Sequence, residues 1–161
     1  MDSRNRTVTK TLQIGDIAPD FTLTGANKGN WCLSDFRGKR NVVLAFVPFA
    51  FSGVCSAQLP SYEAELSRFK DFNVEVVAIS MDSTHALSAW EKSMHTSLPL
   101  LSDFYPQGRV VDLYGIRHAD GMAERALFVI DKEGTIRYIE VTPEPGVLPD
   151  NEDLLEALRK L

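Results

Sequence analysis

The side chain best placed to do chemistry is the thiol of Cys55. It closes the string Pro48-Phe49-Ala50-Phe51-Ser52-Gly53-Val54-Cys55, in which a proline, a hydroxyl and a thiol follow one another. Thiols attack electrophiles and bind metals as thiolates, so what matters is whether the surroundings support an anion. Ser52-Gly53 supplies a helix cap and a turn, and an amphipathic stretch begins at about Val54, which predicts Cys55 in the first helical turn. Unpaired backbone N–H groups and the positive end of the helix dipole favour an anion there. Ser-x-x-Cys alone says little, because most free cysteines are small buried hydrophobes. Strand end, rigid proline, hydroxyl and helix start together favour a chemical role.

The elements that must position this thiol are legible on both sides of it. Val42 to Val47 is apolar throughout, rich in β-branched and aromatic residues, and uncharged. It reads as a strand buried on both faces in the interior of a sheet. After Cys55, Leu59, Tyr62, Leu66 and Phe69 recur at helical spacing, predicting a helix from about Val54 to Lys70 with a kink at Pro60. Val74 to Ser80 is a second buried strand, so strand, helix and strand form a parallel pair joined by a crossover. Upstream, Thr22-Leu23-Thr24 and Trp31-Cys32-Leu33 flank the turn residues 25–30 as a β-hairpin. Downstream, Ser83 or Thr84 caps a helix reaching about Met94, Leu98 to Asp103 is short and extended, and Gly108 to Tyr114 is helical. Arg125 to Asp131 and Thr135 to Val141 form an antiparallel pair around Lys132-Glu133-Gly134. Asp150 to Lys160 is a terminal helix, acidic at its start and basic at its end. The fold class is therefore α/β: a mixed central sheet flanked by helices, with an N-terminal β-hairpin extension. Residues 1–10 are expected as a flexible tail and residues 11–161 as a single domain.

Composition narrows the function classes. The 161 residues carry a net charge of −5, with 44% hydrophobic and 24% charged residues, as in an ordinary globular domain. No basic patch would recruit phosphates, which argues against nucleic acid and anionic membranes as partners. No apolar run approaches a bilayer span, and residues 1–10 lack a secretory core. Two cysteines, Cys32 and Cys55, are too few for a disulfide scaffold, and no second cluster suggests zinc. The expected localisation is cytoplasmic, where any disulfide would be transient. His85, His95 and His118 are scattered and read as surface residues.

The string from Pro48 to Cys55 resembles the Pro-x-x-x-Thr/Ser-x-x-Cys signature of the peroxiredoxins. Gly15-Asp16-Ile17-Ala18-Pro19-Asp20-Phe21 and Leu33-Ser34-Asp35-Phe36-Arg37-Gly38-Lys39 resemble the opening of that family. The resemblance implies a thioredoxin-like fold and a thiol-dependent peroxidase reducing hydrogen peroxide or organic hydroperoxides. Such a reaction needs a thiolate to attack one peroxide oxygen while fixed donors meet the charge on the other. Cys55 would be the peroxidatic nucleophile and become a sulfenic acid. Ser52 would direct its hydroxyl at the thiolate and the peroxide, and Pro48 would wall off the thiol without donating a competing N–H. Arg125, which stands before Ala126-Leu127-Phe128-Val129-Ile130-Asp131, resembles the family's active-site arginine; as a lone strand-end arginine it would read as an ordinary surface ion-pair partner. Gln58 reads as structural rather than catalytic, and Tyr62 and Trp90 as core residues that can form pocket wall.

The cycle needs a second thiol. The positions where the family places a resolving cysteine hold Pro60 and Trp90, and no cysteine follows Cys55. Cys32 is the minority candidate; mid-strand in the hairpin, it reads as a buried structural residue. Leu98-Pro99-Leu100-Leu101-Ser102-Asp103-Phe104-Tyr105-Pro106 and Tyr114-Gly115 extend the likeness to the one-cysteine alkyl hydroperoxide reductase E subfamily. This likeness implies a homodimer or higher oligomer, no cofactor, and recycling by an external low-molecular-weight thiol or a glutaredoxin- or thioredoxin-like reductant. Ser52 stands where threonine is commoner. The rivals are a thiol-disulfide oxidoreductase, which would want a cysteine in place of Ser52; a copper carrier, which would want one in place of Leu59; and a non-enzymatic chaperone or scaffold.

Overall fold

The computed structural model describes residues 5–65, 68–69 and 71–161. Seven strands form one mixed sheet: β1 (Thr22–Gly25), β2 (Asn30–Cys32), β3 (Asn41–Phe46), β4 (Val74–Ser80), β5 (Leu100–Ser102), β6 (Ala126–Ile130) and β7 (Ile136–Val141), in the spatial order β2-β1-β5-β4-β3-β6-β7. β3, β4 and β5 run parallel, and β6 lies antiparallel to β3. The hairpin β1–β2 joins through an antiparallel pairing of β1 with β5, so it lengthens the sheet at one edge. This is the expected α/β architecture.

The pleat of β3 explains why the fold has two cores. All six of its residues are buried. Leu44 and Phe46 pack with Phe21, Tyr114 and Phe128 on one face, while Val43 and Ala45 pack with Cys55, Tyr62, Trp90 and Leu127 on the other. Each fully buried Val, Leu or Phe side chain favours folding by about 1.5–3 kcal/mol. Helices α1 (Gly53–Ala64), α2 (Thr84–Met94) and α4 (Asn151–Arg159) cover the Cys55 face, and the short α3 (Arg109–Leu113) covers the opposite one. Ser83 caps α2 by accepting from Ala86 N–H at 3.2 Å, and Asp150 caps α4 by accepting from Glu152 N–H at 2.8 Å. Buried Asp103 accepts the N–H groups of Val110 and Val111 at 3.2 and 2.9 Å, although desolvation holds its carboxyl above the ordinary carboxylate range.

One expectation changes. The helix begun at Cys55 stops at Ala64 rather than near Lys70. Glu65 leaves helical geometry with φ −95° and ψ 4°, its N–H shared between the Ser61 and Tyr62 carbonyls. Arg68 and Phe69 resume a helical turn bonded back to Glu65, while positions 66, 67 and 70 lie outside the described residues. α1 passes through Pro60 without ending there. Within the stretch expected as a tail, residues 5–10 make contacts of their own. Arg6 exchanges two backbone hydrogen bonds with Val141 of β7, at 2.8 and 2.9 Å, and the side chains of Asn5 and Arg6 bond Glu140 and Glu124. Arg6 thus bridges the outer edge of β7, while Lys10 N–H bonds the carbonyl of Gly115, just past α3, at 3.3 Å.

Candidate active site

β3 ends at Phe46, and the chain turns through Pro48 to the first turn of α1 at the carboxyl ends of β3, β4 and β5. Pro48 is buried. Phe51 adopts φ +66°, a left-handed conformation unfavourable to a bulky residue, and this reverses the chain into the cap. The cost is offset by anchors on both sides. Asp82, just past β4, accepts from Ala50 N–H at 2.8 Å and from the Ser80 hydroxyl at 2.8 Å. Ser52 is the N-cap of α1: its Oγ accepts the Cys55 N–H at 3.1 Å, which leaves the hydroxyl proton free to be donated elsewhere.

Cys55 is completely buried. Its sulfur receives a hydrogen bond from Arg125 Nη2 at 3.1 Å. Arg125 is itself only 2% exposed, and the rest of its fork is also occupied. Nη1 donates to Gln58 Oε1 at 2.5 Å, and Nε donates to the Pro145 carbonyl at 2.8 Å. The backbone is held as well, with Thr142 N–H bonded to the Arg125 carbonyl at 3.1 Å. A buried guanidinium without a partner would be very costly; here neutral acceptors hold it in place and the sulfur is the remaining group it faces. Gln58 Nε2 donates to the Tyr62 hydroxyl at 2.9 Å. Burial pushes that hydroxyl well above its ordinary range, so Tyr62 is neutral. On the same face, desolvation raises the Glu140 carboxyl, which accepts from the Tyr138 hydroxyl and the Asn5 amide.

Arg125 thus meets the Cys55 sulfur and Ser52 meets the Cys55 backbone N–H, with Pro48 in the loop leading to them. Gln58 touches the arginine and not the sulfur. Trp90 is buried and donates from Nε1 to Ser56 Oγ at 3.0 Å. Tyr62 is not pocket wall; it lies beneath the site, in contact with Gln58. Cys32 departs from expectation: it is the last residue of edge strand β2 and half-buried, with its sulfur 3.2 Å from Ser34 Oγ and 3.8 Å from Asp20 Oδ1. An edge strand lacks a neighbour to cover its outer side. Three strands separate β2 from β3, a distance of roughly 19 Å across the sheet, and a disulfide needs Cα atoms within about 7 Å. Both cysteines are free. His85 and His95 are exposed, and His118 is partly covered beside Asp120. Among the described residues no three His, Cys, Asp or Glu side chains are grouped as metal ligands.

Two contributors were not anticipated. Pro145 acts through a carbonyl, which leaves no trace in residue type beyond the proline-rich segment carrying it. Asp82 did leave a signal, since a polar residue directly after a parallel strand lies at the edge where α/β folds build their sites.

Comparison with known proteins shows the family. Residues 14–139 match the model of the AhpC/TSA family. The chain is 36% identical over 151 residues to alkyl hydroperoxide reductase E of Mycobacterium tuberculosis, covering 93% of this chain and 98% of that protein. It is 35% identical over 158 residues to mouse peroxiredoxin-2, covering 91% and 76%. Among solved structures, the mitochondrial 2-Cys peroxiredoxin of Plasmodium falciparum superposes with a TM-score of 0.81 at 25% identity, over 91% of this chain and 92% of that one. The chain belongs to the AhpC/TSA family, the peroxiredoxins.

Proposed function

We propose that Cys55 is the peroxidatic nucleophile of this thiol-dependent peroxidase, with Arg125, Ser52 and Pro48 completing the site. The observation that carries the assignment is the 3.1 Å contact between Arg125 Nη2 and the Cys55 sulfur in a fully buried setting. The thiolate attacks one oxygen of the peroxide; an S–O bond forms and the O–O bond breaks. Cys55 becomes a sulfenic acid, and the departing alkoxide or hydroxide takes a proton to leave as alcohol or water. Negative charge moves from sulfur to that oxygen, so a donor set reaching both positions stabilises the transition state more than the ground state. The guanidinium faces the sulfur, and the free proton of Ser52 can follow the peroxide oxygens. Pro48 offers no N–H to compete.

The cycle then closes through an external thiol: the first forms a mixed disulfide with Cys55 and releases water, and the second restores the free thiol. A low-molecular-weight thiol or a glutaredoxin- or thioredoxin-like protein fits this role. The strand order separating Cys32 from Cys55 supports a one-cysteine cycle, as does the similarity to alkyl hydroperoxide reductase E. The chemistry is complete with protein groups and two thiols, so no prosthetic group enters the scheme. Homodimer assembly and a cytoplasmic setting belong to the same reading. No helix among the described residues is long and apolar enough to cross a membrane. Stopped-flow mixing of the reduced protein with hydrogen peroxide tests the assignment. A second-order reaction lost in Cys55→Ser is expected, and peroxide consumption unaffected by that substitution would overturn it.

A further inference from the structure

Arg125 can only donate, so whichever Gln58 atom faces it must be the amide oxygen. That requirement turns the Gln58 NH2 group toward Tyr62, whose hydroxyl oxygen accepts it at 2.9 Å. All three side chains are buried, so no water is at hand to replace a lost partner. We infer that Tyr62 is a positioning residue for the peroxidatic reaction: it gives the buried Gln58 NH2 group its acceptor, so that the amide stays seated with its oxygen on Arg125 and, through that neutral acceptor, steers the guanidinium onto Cys55.

The neutrality is the point of the device. A carboxylate in place of Gln58 would hold Arg125 equally well, but would cancel part of the charge that the thiolate and the departing oxygen use. An amide avoids this, yet it is orientation-dependent: turned over, it would aim an NH2 group at a guanidinium. Arg125 sets the orientation, and Tyr62 satisfies the NH2 group that this orientation buries. Its hydroxyl stays protonated because burial disfavours the phenolate, so it does not itself become a counter-charge. The other charged groups whose fields reach Tyr62 are Glu140 on β7 and Arg125 itself; Tyr138 on β7, Asp150 at the cap of α4 and Asp153 on that helix act on Glu140 in turn.

This inference rests on the peroxidase reading, and its test separates the two. Second-order rate constants with hydrogen peroxide are measured from about pH 5 to 9 for the wild-type protein, Tyr62→Phe, Gln58→Glu and the double variant, with thermal melts to verify folding. Tyr62→Phe should slow the reaction about tenfold, while the same change in the Gln58→Glu background should slow it less than about twofold, because a carboxylate has no NH2 group to be left without an acceptor. Gln58→Glu alone should move the midpoint of the pH–rate profile upward by about one unit. If Tyr62→Phe does not fold, that midpoint carries the test, since Gln58→Glu keeps the buried ring. Equal losses from Tyr62→Phe in both backgrounds, no loss in either, or an unmoved midpoint would overturn the inference with the peroxidase intact. A wild-type protein inert toward peroxide would overturn both.

Discussion

Cys55 lies under a guanidinium at the mouth of a helix, whereas Cys32 lies beside a carboxylate at the edge of the sheet. Cys55 is fully buried, yet Arg125 donates to its sulfur and the Ser52 cap holds its N–H. Cys32 is the more open of the two, but its neighbours are the Asp20 carboxylate and the Ser34 hydroxyl. The difference teaches that exposure alone does not mark a reactive thiol. The sign of the nearest fixed charge decides whether an attacking anion is supported, and only the buried cysteine has a cation in contact.

The comparison can be broken most sharply by removing each sulfur in turn. Cys55→Ser should lower the peroxide rate by more than about a thousandfold, while Cys32→Ser should change it less than about twofold. Comparable losses from the two would show that the thiols act together. Next in size, Arg125→Ala should slow the reaction by about a hundredfold or more with secondary structure retained, read by stopped flow alongside circular dichroism. Arg125→Lys should recover only part of the rate, since an ammonium cannot hold the Gln58 and Pro145 oxygens while facing the sulfur. Ser52→Ala should cost about tenfold in rate and, by removing the α1 cap, about 1 kcal/mol in denaturant unfolding. The smallest effect sharpens the other side of the comparison. Asp20→Asn should raise the alkylation rate of Cys32 by about two- to threefold and leave that of Cys55 unchanged, as followed by mass spectrometry of labelled peptides.

Much of the fold was legible because its period-two and helical patterns are strong. The uninterrupted apolar run of β3 announced an interior strand, and the turn chemistry around Ser52-Gly53 announced the helix that carries Cys55. The candidate site was legible where side-chain type suggests the proposed role, as at Cys55, Ser52 and Arg125, though Arg125 needed the family resemblance to lift it above a strand-end arginine. Roles held by geometry rather than type stayed hidden. A carbonyl, as at Pro145, has no identity in a sequence, and the bond between Gln58 and Arg125 joins residues 67 positions apart. Local pattern also overextended α1, since Leu66 and Phe69 keep the helical spacing beyond the point where Glu65 leaves helical geometry. The contacts of the N-terminal stretch were hidden for the opposite reason. Residues 5–10 follow no strand or helix pattern, and the groups that Arg6 and Lys10 bond, Val141 and Gly115, lie far along the chain.

The central claim is that one sulfur, chosen by the guanidinium beside it, takes the oxygen. Intact-mass and peptide analysis of the reduced full-length chain after one equivalent of hydrogen peroxide, with a sulfenate trap present, tests it most directly. The account predicts a single added oxygen, trapped on Cys55, with Cys32 still a free thiol. Oxygen trapped on Cys32, or rapid loss of two hydrogens to a disulfide joining the two cysteines, would contradict it.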